Sequence, residues 1–197
     1  EVSTLFHTIA ADGFYSPLTT IQGIYDSDGE QAGIRVREIE QRIDPAYVHL
    51  IQYAMQVVML EGTGKSLLSR FPDTALAGKT GTTNDSRDSW FAGFDGRHLG
   101  VFWVGRDDNK AMPLTGATGA LELWSSTFRA IGAESINYVR PPNVEYFWVD
   151  PEKNARTDDN CSAAVYLPYA YESEPDQYVR CDGTGVVESW LNRFLGM

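Results

Sequence analysis

The stretch GKTGTTNDSRDSWFAGF, residues 78–94, places a single lysine among glycine, threonine and serine. Lys79 offers a cation, Thr80 and Thr82 offer hydroxyl groups, and Gly81 has no side chain, so that another backbone can approach closely. At the edge of a sheet, a backbone N–H of this stretch is also free to face a ligand. The pattern therefore predicts a receptor for an extended peptide that ends in a carboxylate. The alternative is a glycine-rich strand with an exposed lysine.

Other catalytic motifs are excluded because residues that their chemistry requires are missing. The Gly-Lys-Ser and Gly-Lys-Thr tripeptides at 64–66 and 78–80 are similar to the end of a phosphate-binding loop. That loop needs a glycine five residues before the one preceding lysine, and Met59 and Asp73 occupy those positions. The G-x-S-x-G pentapeptide of many serine hydrolases does not occur. No pattern predicts a cofactor or a metal site, and the three histidines lie in helical or strand patterns that favour structural roles.

Composition and charge limit the possible partners. The formal net charge is −11 and only four lysines are present. Nucleic-acid binding needs clustered Lys and Arg to neutralise phosphates, so the composition argues against a nucleic-acid partner. No apolar run approaches the roughly 18 residues that a membrane helix needs. Cys161 and Cys181 lie in a polar, proline-bearing stretch. They form either a disulfide, which we favour, or two unrelated buried thiols.

The first half of the chain shows helical and hairpin patterns. Residues 1–12 have apolar side chains at helical spacing, and a turn at 26–29 joins two strand-like runs. Asp44 and Pro45 predict the start of a helix that ends at Gly62. Apolar residues cover most faces of this helix, which predicts that it is deeply buried.

The second half predicts a hairpin, a closing helix and a change of character. A strand at 76–83 leads through a polar loop into two strands joined by the Asp-Gly turn at 95–97, and an amphipathic helix follows, ending at Gly132. After two prolines the sequence changes to short aromatic strands and acidic loops. We therefore predict two units, 1–140 and 141–197, with a short final helix over 185–197.

The stretch that begins at Lys79 resembles the third active-site motif of penicillin-binding transpeptidases, where a polar loop leads to Trp-Phe-x-Gly. The segments 61–65, 103–109 and 116–120 resemble the same family in the same order. The chain up to about residue 131 therefore resembles the C-terminal part of the transpeptidase domain of class A (bifunctional) penicillin-binding proteins. The remaining third resembles the extension of the 1B subgroup of Gram-negative bacteria.

The resemblance implies an α/β (α+β) fold, in which an antiparallel sheet like that of serine β-lactamases and transpeptidases is flanked by helices, here with a small C-terminal extension. It implies a D,D-transpeptidase that cross-links stem peptides through an acyl-serine intermediate. Lys79 and Thr82 would be catalytic, Lys79 through its positive potential and Thr82 through a backbone N–H in the oxyanion hole. Thr80, Gly81 and Thr82 would bind the substrate, with the two hydroxyls at its terminal carboxylate.

The resemblance also implies partners and a location. The parent protein would be anchored by one span in the inner membrane, face the periplasm, and carry a glycosyltransferase that polymerises lipid II. Its ligands would be peptidoglycan stem peptides and β-lactam antibiotics, and a periplasmic or outer-membrane activator would assist it. Trp90 and Phe91 are expected to pack in the core behind the site, without contacting ligand.

The nucleophile motif of the family is absent. None of the four lysines has a serine three positions earlier, so S-x-x-K does not occur. Ser135-Ile136-Asn137 fits S-x-N, but it follows the strand that carries the K-T-G motif (79–81), whereas the family places S-x-N before that strand. We therefore expect a fragment that is inactive alone. Two alternatives are a β-lactam or peptide sensor of the same fold without turnover, and a secreted binding module whose match at 78–94 is accidental.

Overall fold

The computed structural model describes residues 1–21, 23–33 and 38–181, so the final helix predicted at 185–197 lies outside the described residues. The helices are α1 (Val2–Ala10), α2 (Pro45–Leu60) and α3 (Ala120–Ile131), with short 3-10 turns at Lys65–Leu67 and Asn84–Ser86. The strands are β1 (Phe14–Tyr15), β2 (Ile24–Tyr25), β3 (Gln31–Gly33), β4 (Glu40–Gln41), β5 (Ala77–Thr82), β6 (Asp88–Phe94), β7 (Leu99–Gly105), β8 (Val144–Asp150), β9 (Ala155–Arg156) and β10 (Val165–Ala170).

Several elements begin or end where local signals predicted. The Asp26 carboxylate accepts two backbone N–H groups in the turn between β2 and β3. The Asp44 side chain caps α2 by accepting the Ala46 N–H at 2.8 Å, and Pro45 is the first helical residue. Helix α3 ends at Gly132, whose φ of 78° favours glycine. These predicted boundaries are confirmed.

The central sheet is an antiparallel meander in which β6 lies between β5 and β7. Its side chains alternate between two faces. One face packs against α3, where Phe91 contacts Trp124, and the other packs against α1, where Phe94 lies in one cluster with Ile9. The predicted strand over 76–83 and the predicted hairpin around 95–97 are both confirmed.

A row of glycines crosses this sheet, because Gly78 lies opposite Gly93 and Gly93 lies opposite Gly100. A Cβ on Gly93 or Gly100 would lie 3.2 or 2.8 Å from the Trp124 ring, and one on Gly78 would lie 3.1 Å from the Met59 sulfur. Trp124 is fully buried on the row and donates its indole N–H to the Gly93 carbonyl at 2.9 Å. The bare backbone is thus what allows α2 and α3 to approach the sheet closely.

Helix α2 packs on two sides and is open on a third. Val48 packs with Ala77 of β5, whereas Ala46 packs with the C-terminal strands β8 and β10. Tyr47 and Ile51 remain 59% and 39% exposed. The prediction that this helix is deeply buried is therefore wrong for one face, because β5 and the second sheet cover only part of its circumference.

The second sheet has the order β10-β8-β9 and lies within the described part of the C-terminal unit. Cys161 and Cys181 form a disulfide bond, the alternative that we favoured from the sequence. The unit joins α2 through aromatic contacts, among them a 2.8 Å hydrogen bond between His49 Nε2 and the Tyr146 hydroxyl. Burial lowers the pKa of His49, so this contact is made by a neutral ring at neutral pH. The boundary at residue 140 stays a prediction.

Among the described residues, no helix combines the length and hydrophobicity that crossing a bilayer requires.

A buried carboxylate fixes the turn between β6 and β7. Asp95 accepts the backbone N–H groups of Arg97 and His98 within the turn and that of Glu134 beyond α3. Burial by itself raises the pKa of Asp95, but these three hydrogen bonds outweigh it and hold the pKa below its ordinary value. The ionised side chain therefore ties the hairpin to the end of α3.

Asp95→Asn tests this tie. The amide replaces one acceptor oxygen with a donor, so at least one N–H loses its partner, and we expect a loss of about 1–3 kcal/mol in the free energy of unfolding at neutral pH. The folded-state pKa of Asp95 is lowered, so its contribution is complete above the unfolded-state pKa and disappears as the pH falls through the folded-state value. Denaturant unfolding at several pH values measures the difference. A difference that does not shrink in acid would contradict the assignment.

Candidate active site

Strand β5 lies at an edge of the central sheet. Among the residues that the structure describes, it pairs with β6 alone, and Thr83, just beyond it, donates its N–H to the Asp88 carbonyl. Hydrogen-bonded and non-hydrogen-bonded pairs alternate in an antiparallel ladder, so the N–H and C=O groups of Thr80 and Thr82 point away from β6. The edge thus offers the free backbone N–H that the sequence pattern called for.

The Lys79 side chain is exposed and lies along this edge. Its Nζ donates to the carbonyl oxygen of Thr80 at 2.7 Å, an acceptor that the ladder leaves free. The ammonium group therefore lies beside the outward-facing backbone of the strand. It adds a fixed positive charge to the row of donors that an anionic ligand would meet.

Both threonine hydroxyls of the strand are held by residues from outside it. The Thr80 hydroxyl lies 2.7 Å from the hydroxyl of Thr63, in the turn after α2. The Thr82 hydroxyl accepts the Gly116 N–H at 2.9 Å. A hydroxyl has one proton and two acceptor sites, so Thr82 keeps its proton for a further acceptor. Sequence reasoning matched the segments of Thr63 and Gly116 to the family but assigned neither residue a role.

The face of β5 that carries Lys79 and Gly81 borders an open groove of about 240 Å³, which Val2 and Phe6 of α1 and Trp90 also line. A Cβ on Gly81 would project toward this groove and lie 3.2 Å from the Trp90 Cβ. Trp90 lines the groove and is only half-buried. The prediction that Trp90 packs in the core behind the site is therefore wrong. Cross-strand pairing explains the difference, because Trp90 lies opposite Gly81, which has no side chain to cover it.

Phe91 packs as predicted, fully buried against Trp124 on the other face.

The loop after β5 is held by its own polar side chains. Asp88 accepts the Thr83 hydroxyl at 2.9 Å and the indole N–H of Trp103 at 2.9 Å. Asp85 and Ser86 have φ values of 61° and 52°, in the left-handed region. The backbone therefore turns sharply between β5 and β6.

Ser135 of the apparent S-x-N match lies elsewhere. Its hydroxyl accepts the Ala75 N–H at 2.9 Å, and the Ile136 N–H donates to the Ala75 carbonyl. The match is therefore part of a structural contact with the chain that enters β5.

The family model of the penicillin-binding protein transpeptidase domain matches residues 1–111. The chain belongs to this family. The transpeptidase chain is also 35% identical to penicillin-binding protein 1B of Vibrio cholerae over 168 residues, and 33% identical to that of Escherichia coli over 175 residues. These alignments cover 85% and 89% of the chain but only 22% and 20% of the relatives, so the chain spans about a fifth of their length.

Solved structures share the fold of this transpeptidase chain. Penicillin-binding protein 1A from Haemophilus influenzae superimposes with a TM-score of 0.80 at 19% identity, covering 90% of the chain and 32% of that structure. Penicillin-binding protein A from M. tuberculosis, solved as a ceftriaxone acyl-enzyme complex, gives 0.53 at 19% identity, covering 65% and 31%. The expected transpeptidase-like fold and the resemblance to class A penicillin-binding proteins are confirmed.

Gly116→Ala tests the contact that holds Thr82. A Cβ on Gly116 would lie 2.7 Å from the carbonyl oxygens of Gly81 and Trp90, which are backbone atoms fixed in the ladder. The loop before α3 must move away, so we expect about 1–3 kcal/mol of destabilisation together with loss of the hydrogen bond to Thr82. Thermal unfolding measures the first effect. An unchanged unfolding temperature would show that the loop yields without cost and would contradict the contact.

Proposed function

We propose that this chain supplies the carboxylate-binding and oxyanion-stabilising part of a serine D,D-transpeptidase in peptidoglycan synthesis. The nucleophilic serine and its activating lysine lie outside these 197 residues, because S-x-x-K does not occur here. The chain alone is therefore inactive. The observation that carries the proposal is the free edge of β5, where a lysine, two oriented hydroxyls and outward backbone N–H groups lie together.

The proposed reaction has two acyl-transfer steps. In the first, the serine oxygen attacks the carbonyl carbon of the penultimate D-Ala of one stem peptide, the peptide bond breaks, and the terminal D-Ala leaves with a proton on its amine. In the second, an amine of a neighbouring stem peptide attacks the acyl-serine, forming the cross-link and returning the proton to the serine. A β-lactam ring opens in the first step but has no small leaving group to lose. Each attack places negative charge on the carbonyl oxygen.

The residues of β5 take distinct parts in this reaction. The Thr82 N–H, at the open edge, donates one of the two hydrogen bonds to the oxyanion, and the nucleophile's own N–H donates the other. The hydroxyls of Thr80 and Thr82 bind the terminal carboxylate of the peptide or the carboxylate of a β-lactam. Lys79 supplies positive potential to the same carboxylate, and Gly81 leaves the backbone bare where the substrate lies alongside.

The parent protein that we propose is membrane-anchored and faces the periplasm. It also carries a glycosyltransferase that uses lipid II, and an accessory protein of the periplasm or outer membrane activates it. The similarity to proteins named penicillin-binding protein 1B supports this assignment. No cofactor is required, since every step is acyl transfer between oxygen and nitrogen nucleophiles.

Penicillin labelling followed by peptide mass spectrometry tests the proposal. The chain and its full-length parent are labelled in parallel and digested. We expect the label on a serine of the parent outside these 197 residues, and none on the chain alone. Label on a serine within this chain would contradict the placement of the nucleophile, and an unlabelled parent would favour a binding module without turnover.

Lys79→Ala in the full-length protein should slow acylation by a penicillin roughly 10- to 100-fold, because the carboxylate loses a charged partner. Lys153→Ala is the matched control. It removes the same charge from an exposed lysine that pairs with Asp150 in the C-terminal sheet, and it should leave acylation unchanged. Stopped-flow or gel-based acylation rates measure both. Equal rates for the Lys79 variant and wild type would remove Lys79 from the site.

Thr82→Pro and Thr82→Val separate the N–H from the hydroxyl. Proline removes the N–H, which points away from β6, so no ladder hydrogen bond is lost; acylation should fall about 10²- to 10³-fold, as for loss of an oxyanion donor. Valine keeps the N–H and loses only the hydroxyl, so its effect should be smaller. Equal acylation rates for the two variants would count against the oxyanion role.

A further inference from the structure

The turn that holds Thr63 is built to lie against the end of α2. A Cβ on Gly62 would lie 2.9 Å from the Val58 carbonyl oxygen, and one on Gly64 would lie 2.6 Å from the Met59 sulfur. The N–H groups of both glycines donate to the Val58 carbonyl at 3.1 Å. The two glycines therefore let the chain fold back tightly over the last helical turn, with the threonine side chain between them.

Met59 connects this turn to the K-T-G strand. Its sulfur lies close to Gly64 and also to Gly78, where a Cβ would lie 2.6 and 3.1 Å from it. The turn and β5 thus pack on the same buried methionine, which is only 3% exposed. The 2.7 Å approach of the Thr63 and Thr80 hydroxyls follows from this packing.

Each hydroxyl group has one proton, and this determines which of the two donates when a carboxylate binds. Either oxygen can donate in the pair as it stands. When a carboxylate binds Thr80, its only proton must go to the carboxylate, because an ionised carboxylate only accepts. The Thr80 oxygen then accepts from Thr63, whose exposed side chain keeps its remaining acceptor sites in water. The hydroxyls form a chain of donors that runs from Thr63 through Thr80 to the anion, and each bond polarises the next.

We propose that Thr63 is a positioning residue for carboxylate recognition, acting on the substrate through the Thr80 hydroxyl. The inference rests on the proposed function, because it requires that Thr80 binds the carboxylate. It assigns a role to the Gly-Thr-Gly turn, which otherwise contributes only packing.

The test uses saturation kinetics of acylation in the full-length protein, with benzylpenicillin and its neutral methyl ester as probes. The variants are Thr63→Val, which keeps the shape and loses the hydroxyl, Thr63→Ser, which keeps the hydroxyl, and Thr80→Val. Ser66→Ala is the matched control, since it removes an exposed hydroxyl three residues along the same segment. Unfolding temperatures are measured for all of them.

We expect Thr63→Val to weaken benzylpenicillin binding roughly two- to tenfold, the range for one neutral hydrogen bond, with the limiting acylation rate unchanged. The methyl ester should show no such loss, and Thr63→Ser should restore binding. In a Thr80→Val background, Thr63→Val should add nothing, because the two groups act as one unit.

Three results would overturn the inference. A Thr63→Val loss that is equal for both probes, or that follows a lower unfolding temperature, would reduce Thr63 to a structural role. Failure of Thr63→Ser to restore binding would remove the hydroxyl from the explanation. Unchanged binding in Thr63→Val, with Thr80→Val impaired, would reject the inference and leave the proposed function standing. If Thr80→Val and Lys79→Ala both bind normally, the proposed function itself fails.

Discussion

The close approach of helices to a bare sheet backbone is the constraint on which the rest of this structure depends. Gly78, Gly93 and Gly100 form a continuous strip across three strands, and Met59 and Trp124 lie directly on it. A Cβ at any of these three positions would lie within 3.2 Å of the Met59 sulfur or the Trp124 ring, so a larger residue would force those side chains to shift. The turn at 62–64 comes directly after α2 and the loop at 113–119 comes directly before α3. These two segments hold the threonine hydroxyls of β5. The strip, which reaches β5 next to Lys79, therefore sets how closely α2 and α3 approach the strand that carries the site.

Much of this architecture could be predicted because its signals are local. The Asp-Gly turn at 95–97, the cap at Asp44 and the stop at Gly132 each depend on a few neighbouring residues, whose chemistry fixes the backbone whatever packs around them. The strand at 76–83 could be located from its apolar entry and the polar loop after it, whereas its residues alone left open a glycine-rich strand with an exposed lysine. The family resemblance then favoured a role in binding a peptide for this strand.

The contacts that orient the site could not be predicted, because they join residues far apart in sequence. Nothing in the residues around Thr63 or Gly116 indicates that they end beside Thr80 and Thr82; that follows from how the helices pack on the sheet. The exposure of Tyr47 has a similar origin. A helix that is apolar on most faces indicates what could be buried, whereas the number of layers packed around it decides what is buried.

The open edge of β5 also bears on self-association. Unpaired backbone groups at a sheet edge are a template for another strand, and proteins usually blunt such edges with proline, inward charges or covering loops. A strand that binds a peptide through those groups, as we propose for β5, has to keep them available. The exposed charge of Lys79 is the protection that this strand keeps. In the function that we propose, the peptide uses the same N–H and C=O groups that edge-to-edge pairing of two copies would use, so the two modes exclude each other.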